Sequence, residues 1–313
     1  MENKKHICGL LSVDNFEELL NFPLYFEIET SNICNARCSM CTIHNWKRSD
    51  NPFMSERLFC SIASQIIERK DFVRVVNVSR DGEPLLDNAL EQKITYLKKG
   101  GIKKVTFSTN AALLTEDRAK MLLDSGLDDI MFSVDGATKE TFERIRQGLI
   151  YEDVVSNILS FIKLRDKRNT SLSVRVRLVI QDDNKYELNK WGNFWRSKVS
   201  SQDRVYAKAL HGWGNQLEGF EEKRVGTAES LIRPCTSTFS TMIIRYNGEV
   251  TVCPIDYDFK YKNGNLNELT IEEIWKNGAA LNKFRTKHIN SLRDDLIFCR
   301  NCTLWDPTTQ KIF

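Results

Sequence analysis

The chain has 313 residues and a formal net charge of +3, from 45 Lys and Arg against 42 Asp and Glu. That length can bury a large core and suits one big domain or two smaller ones. Acidic and basic residues are interspersed, which leaves neither a nucleic-acid stripe nor an acidic tail, and no apolar run approaches the ~20 residues of a membrane span.

The start, MENKKHICGLLSVDNF, is too polar for a signal peptide, so a soluble, cytoplasmic protein is expected. Its nine cysteines, several at metal-like spacings, argue for clusters over disulfides. Residues 1–23 read as a lead-in with a helical turn at Asn15–Leu20. Residues 24–30 alternate, with Tyr25, Glu27 and Glu29 on one side and Leu24, Phe26 and Ile28 on the other.

This strand runs into Cys34, Cys38 and Cys41, spaced CxxxCxxC. Three thiolates can hold three irons of a cubane cluster and leave the fourth without a protein ligand, where chemistry can occur. The plain alternative is three unrelated cysteines on a surface loop. Helices are then expected at 55–69, 88–99, 115–126, 137–148 and 152–164. They alternate with strands at 73–79, 103–110, 129–136 and 172–180, and with a sixth near Arg204–Ala209. Strands separated by helices make βα units and a parallel sheet.

One parity of these strands stays polar: Glu27 and Glu29, Asn77 and Ser79, Thr106, Ser108 and Asn110, Ser133 and Asp135, Arg175 and Arg177. Buried parallel strands ordinarily read as continuous Val, Ile and Leu, so the polar parity predicts a cavity for a cofactor and a polar substrate.

Residues 211–232 read as a linker or substrate-covering loop. Beyond them Cys235 and Cys253 flank a hairpin turning at Asn247-Gly248, a capped helix is expected at 269–278, and CRNC supplies Cys299 and Cys302. Two cysteines two apart plus two on a hairpin make a complete four-thiolate site, for zinc or for a second cluster. Trp191 and Trp195 share a helical face and read as packing, and Cys60 reads as core. The histidines His6, His44, His211 and His288 show no ligand spacing.

The cysteine triad after strand one resembles the radical S-adenosylmethionine (SAM) superfamily, and the later features resemble its subgroup with a C-terminal twitch or SPASM domain. The resemblance implies an α/β fold: a partial (β/α)6 barrel over 24–210 and a small α+β twitch domain over 233–313 holding one auxiliary cluster. SRDGEPLL (79–86) resembles the motif that binds the amino-acid end of SAM, through Gly82, Glu83 and Pro84, with Asp81 replacing its first glycine. FSTN and SVDG resemble ribose and carboxylate contacts, through Ser108, Asn110, Ser133 and Asp135. Arg177, Ile180 and Gln181 fall on the strand-five segment that meets adenosine, and Met40 could pack on the adenine.

The family likeness further implies two 4Fe-4S clusters, reductive cleavage of SAM, and an electron donor such as flavodoxin or ferredoxin. A small polar substrate of sugar or aminocyclitol type is expected, with a secondary alcohol oxidised to a ketone. Arg175, Arg177, Asp135, Glu27 and Glu29, with the loop around His211, are the candidates for binding and deprotonation. The alternatives are an epimerase that uses Cys8 or Cys60 as hydrogen donor, and a peptide-modifying enzyme. The short lead-in weighs against a leader-peptide domain, and no nucleic-acid or membrane partner is expected.

Overall fold

The structure is a computed structural model that describes residues 2–45, 49–214, 216, 233–300, 302 and 310–313. It divides into two compact units, each assembled from separate stretches of the chain.

The first unit comprises Ile28–Met54, Val75–Leu210 and Gln310–Phe313. Its strands are β2 (Val75–Asn77), β3 (Val105–Thr109), β4 (Asp129–Ser133), β5 (Ser173–Ile180), β6 (Arg204–Ala209) and β10 (Gln310–Ile312). They lie side by side in the order β2-β3-β4-β5-β6-β10, parallel from β2 to β6 and antiparallel at β10. Between them run α4 (Leu90–Lys99), α5 (Glu116–Asp124), α6 (Lys139–Ile145), α7 (Tyr151–Lys167) and α8 (Leu188–Arg196). Thr115 and Thr138 cap α5 and α6 by accepting backbone N–H groups.

The register stacks the polar parity in rows. Thr106 stands opposite Asp129, Ser133 opposite Arg177, and Arg177 opposite Tyr206. The other parity is the core: Ile130, Phe132, Val174, Val176 and Leu178 are fully buried, and Phe132 meets Phe161 of α7 edge-on. Side chains of a strand alternate faces, so one sheet carries a greasy surface and a polar one. The starts of β5 and β6 are locked by Arg165, which grips Asp203 with two bonds of 2.7 Å while Asp203 also accepts the N–H of Val174.

The second unit comprises Met1–Glu27, Ser55–Arg74 and His211–Thr309. It contains α1 (Glu2–Leu11), α2 (Phe16–Asn21), α3 (Glu56–Glu68), α9 (Ser237–Ser240), α10 (Ile271–Asn277) and α11 (Ala279–Ile289). The hairpin of β7 (Thr241–Ile244) and β8 (Glu249–Thr251) is extended by β9 (Lys262–Asn265), all antiparallel. Gly248, at φ +88°, supplies the left-handed residue of the hairpin turn. Strand β1 (Tyr25–Ile28) begins in this unit's sequence and ends in the other's.

Several expectations are corrected. Strand two was expected over 73–79 but stops at Asn77, because the Asn77 side chain accepts both the N–H and the hydroxyl of Ser79 and turns the chain. The sequence reading missed α1, α11, β9 and the C-terminal strand β10. Ser55–Arg74 groups with the C-terminal unit and Gln310–Phe313 with the parallel sheet, where Phe313 meets Trp191 at 5.8 Å. Trp191 and Trp195 are packing residues, as expected, at 0 % and 1 % exposure. Of the linker at 211–232, residue 215 and residues 217–232 lie outside the described residues.

Candidate iron–sulfur and SAM sites

The loop of Cys34, Cys38 and Cys41 is held from both sides within its unit. The N–H groups of Arg37 and Ser39 donate to the carbonyls of Gln147 and Ile145, and Arg37 also donates to the Cys34 and Ala36 carbonyls. From the other side Asn110 donates to Asn35 Oδ1 at 2.8 Å and to Cys34 Sγ at 3.8 Å. Gly82 packs directly on the strand-one exit: a Cβ there would lie 2.8 Å from the Ile33 carbonyl and closer still to that of Ser31. Only glycine lets the two backbones meet so closely.

The three thiols feel one another's charge. Burial, with Glu83 beside it, pushes Cys34 up to about 11, and burial pushes Cys41 up to about 12. Cys38 is also raised by burial, against the pull of the Arg146 guanidinium that bonds to it. Arg146 is 8 % exposed and is anchored by Asp135, Nε to Oδ2 at 2.7 Å. A cation fixed beside buried thiols offsets the charge they carry as thiolates. No spacing rule pointed to Arg146, although it lies in the helix expected at 137–148.

Of the expected SAM residues, Gly82, Glu83, Asn110 and Asp135 lie near this loop. Glu83 was expected to receive the ammonium of SAM. Its oxygens already accept from the Thr109 hydroxyl at 2.6 Å and from the N–H groups of Asn110 at 2.9 Å and Leu85 at 3.1 Å. The carboxylate thus clamps the β2 exit to the β3 exit, and burial raises its pKa. Pro84 follows at the start of a short 3-10 turn. Asp135 is fully buried, accepting from Arg146 and from the N–H of Val179.

Asn184, missed in sequence, ties the strand-five exit down by donating to the carbonyls of Asp135 and Val179. Beside it Gln181 Nε2 is closed off from solvent and has no hydrogen-bond partner among the described residues. Ser108 donates its N–H to Ser79, while Met40 and Ile180 are half-buried. The His44 side chain lies outside the described residues.

Further down the polar face, Arg175 donates to Asp129 at 2.7 Å and to Thr106 at 3.0 Å. Asp129 is buried, and although desolvation pushes its carboxyl up, Arg175 and the hydroxyls of Ser173 and Thr106 hold it below the usual range. Arg177 donates from Nη2 to Ser133 at 3.2 Å, and its buried Nε has no partner among the described residues. Tyr206 stands opposite it and donates to Met131.

The other expected residues fall in the second unit or at its edge. Glu29 is fully buried and accepts from Asn32; Glu27 is half-buried on β1. Cys8 packs against the cluster of Ile7, Leu11, Phe16, Leu19, Leu24 and Phe239. Cys60 is half-buried on α3, and His211 packs edge-on against Trp213.

The second unit also gathers Cys235, Cys253, Cys299 and Cys302. Cys253 and Cys299 are raised by burial and then by the neighbouring thiols, Cys253 by all three others. Two residues that sequence reading left aside complete this centre. Arg293, 2 % exposed, donates to the carbonyls of both Cys299 and Cys302 and holds the CRNC turn. His288, fully buried, accepts the Cys235 N–H on Nδ1 at 3.1 Å, and burial pushes it down to about 4, so it is neutral. Tyr261, Phe284 and Phe298 stack around the same turn. A lone Arg or His carries no signal in its spacing.

The donor chemistry fits iron–sulfur clusters. Both sites are all-thiol, and among the described residues no three His, Cys, Asp or Glu side chains converge tightly enough for a single metal ion. The orphan Gln181 donor fits a polar cofactor at the strand ends.

A parallel α/β unit carrying three thiols, and a second unit carrying four more, are the build of an iron–sulfur protein. The comparisons agree: the radical SAM superfamily matches residues 28–174, and the SPASM iron–sulfur cluster-binding domain matches residues 235–303. The chain carries a radical SAM superfamily domain followed by a C-terminal SPASM domain.

A probable GTP 3',8-cyclase from Methanococcus maripaludis is 30 % identical over 139 residues, 44 % of this chain and 46 % of the relative. The chain spans about half the length of the curated relatives it matches, 46 % for the first two. Among solved structures, BtrN in complex with AdoMet and 2-DOIA superposes with a TM-score of 0.59 at 19 % identity, covering 89 % of this chain and 92 % of BtrN. Streptococcus suis SuiB bound to its precursor peptide SuiA gives 0.69 at 16 % identity, covering 90 % of this chain and 70 % of SuiB. These likenesses show the fold. No helix among the described residues is long and apolar enough to cross a membrane.

Proposed function

We propose that the protein is a radical SAM oxidoreductase that converts a secondary alcohol of a small polar substrate, of sugar or aminocyclitol type, to a ketone. In this reading the parallel sheet is the partial (β/α)6 barrel of the family. Cys34, Cys38 and Cys41 hold a SAM-binding 4Fe-4S cluster, and Cys235, Cys253, Cys299 and Cys302 hold an auxiliary one. The enzyme works in the cytoplasm with a flavodoxin or ferredoxin as electron donor.

The observation that carries the reading is the complete set of four mutually interacting thiols in the second unit, with Arg293 and His288 packed against them. Alcohol oxidation removes a hydrogen atom from carbon, a proton from oxygen and one further electron. Cys34, Cys38 and Cys41 would hold the cluster that with SAM would supply the hydrogen-atom acceptor, the proton would pass to solvent, and Cys235, Cys253, Cys299 and Cys302 would hold the cluster that would take the electron. The chain's own residues bind and orient. Arg175, held by Asp129, and Arg177, held by Ser133, present guanidinium donors along the polar face for hydroxyl oxygens. Arg146 and Asp135 fix the charge beside Cys38, and the Glu83 clamp keeps the β2 and β3 exits together. Positioning of this kind is what the protein adds to cofactor chemistry.

The likeness to BtrN with AdoMet and 2-DOIA along nearly the whole of both chains supports this choice. The likeness to SuiB with its precursor peptide favours a second reading, peptide modification. The epimerase reading draws no support from the surroundings of Cys8, which packs into an apolar cluster.

Anaerobic incubation of the reconstituted enzyme with candidate sugars, aminocyclitols and peptides, following 5'-deoxyadenosine, tests the proposal. Stimulation by a polyol together with a ketone product supports it. Stimulation by peptides alone overturns it in favour of the second reading.

A further inference from the structure

Arg177 is half-buried on β5, and no carboxylate among the described residues forms an ion pair with it. Its Nη2 bonds a neutral hydroxyl, Ser133 at 3.2 Å, while Nε is buried and without a partner among the described residues. The carboxylates closest in the fold are committed elsewhere. Asp129 serves Arg175, Thr106 and Ser173, and Asp135 serves Arg146 and the N–H of Val179. Burial pushes the guanidinium down from its ordinary value, against the pull of Tyr206 and Asp135, and the like charges of Arg146 and Arg175 add to the push. A cation drawn out of water without an ion-pair partner is costly, so such a group is kept where a ligand answers it.

Resting on the oxidoreductase reading, we propose that the substrate carries an anionic group, a carboxylate or a phosphate, that pairs with Arg177. This narrows the sugar and cyclitol class to its acidic members.

SAM also carries a carboxylate, and the SAM-affinity measurement below separates that source from an anion of the substrate. The cation beside the ligand thiols is Arg146, which bonds to Cys38 and to Asp135. Asp135 in turn accepts from Val179, two residues beyond Arg177 on β5. Two residues of strand are about 7 Å, so Arg177 lies one row deeper along the polar face. A guanidinium there, flanked by Ser133 and Tyr206, presents a planar fork suited to two oxygens of one anion.

The test uses full-length, anaerobically reconstituted enzyme with SAM, and as probe a small-molecule extract split on an anion exchanger at neutral pH into retained and unretained pools. The expected result is that the retained pool stimulates 5'-deoxyadenosine formation and the unretained pool does not. Arg177→Gln should lose roughly a hundredfold of that stimulated rate, and Arg177→Lys should recover part of it. SAM affinity, measured without either pool, and iron content should match the wild type in both variants.

Stimulation confined to the unretained pool overturns the inference, whatever the variants do. So does loss of SAM affinity in Arg177→Gln, which would assign the residue to the cofactor, and so does an undiminished response of that variant. If neither pool stimulates the wild type, the oxidoreductase reading itself fails and this inference falls with it.

Discussion

Gly82 lies against Ile33: a Cβ at position 82 would come within 2.8 Å of the Ile33 carbonyl oxygen, which already accepts the N–H of Glu83 at 2.8 Å. The turn after β2 and the approach to Cys34 are therefore one backbone contact. Gly82→Ala must push them apart, at a cost of about 1–3 kcal/mol or more. The expected outcome is loss of the N-terminal cluster, a fall from about eight irons per chain to about four, with the far-ultraviolet spectrum retained. Iron and sulfide analysis after anaerobic reconstitution reads this directly, and full iron loading would show that the contact is dispensable.

The Arg146–Asp135 pair is buried, with Nη2 and Oδ2 2.6 Å apart and the Asp135 side chain fully enclosed. Removing one partner of such a pair leaves the other charge stranded, which costs roughly 3–5 kcal/mol. Arg146→Gln should lose that much in anaerobic denaturant unfolding. Adding Asp135→Asn should restore part of it, because the stranded carboxylate is gone. Additive losses would mean the two residues act independently.

Acid sensitivity follows from the base of the sheet. Burial pushes the Asp203 carboxyl up, but bonds from Arg165, the Val174 N–H and Ser200 outweigh it and hold the group below its ordinary value. Asp129 behaves likewise under Arg175. A depressed carboxyl binds fewer protons in the folded chain than in the unfolded one. Its stabilisation is therefore full above the unfolded pKa of about 4 and is lost as pH falls through that value toward the folded one. Melting temperature should drop steeply below about pH 4, and Asp203→Asn should flatten that drop while lowering stability at neutral pH. A variant with the wild-type acid profile would contradict this.

Sequence carried the strand order, the polar parity and both cysteine sets, because periodicity and spacing are local. Arg204–Ala209 and the Asn247-Gly248 turn fell where expected. What it hid were partnerships formed across the fold. Asp135 looked like a cofactor contact and is the anchor of Arg146, eleven residues on. Glu83 looked like an ammonium acceptor and is a clamp on Thr109 and Asn110. His288 reaches Cys235 across fifty-three positions, and Arg293 serves two backbone carbonyls that any residue could supply. Strand β10 is three residues long, too short for alternation to declare itself.

Arg293 offers a separate handle on the second unit. Its bonds to the Cys299 and Cys302 carbonyls hold the CRNC turn, and its charge lies beside Cys235 and Cys299. Arg293→Gln should deplete the auxiliary iron and abolish ketone formation, while SAM cleavage at the N-terminal cluster survives. Arg293→Lys, which keeps the charge but not the forked donors, should retain more iron. Iron per chain, together with 5'-deoxyadenosine formed without product, distinguishes the two.

The central claim is that hydrogen abstraction here ends in net oxidation with the auxiliary cluster as electron acceptor. The most direct measurement is the anaerobic reaction in D2O, with 5'-deoxyadenosine, ketone and substrate deuterium quantified together. Net oxidation requires about one 5'-deoxyadenosine per ketone and no deuterium on the substrate carbon. Deuterium incorporated at that carbon with no net ketone would contradict it.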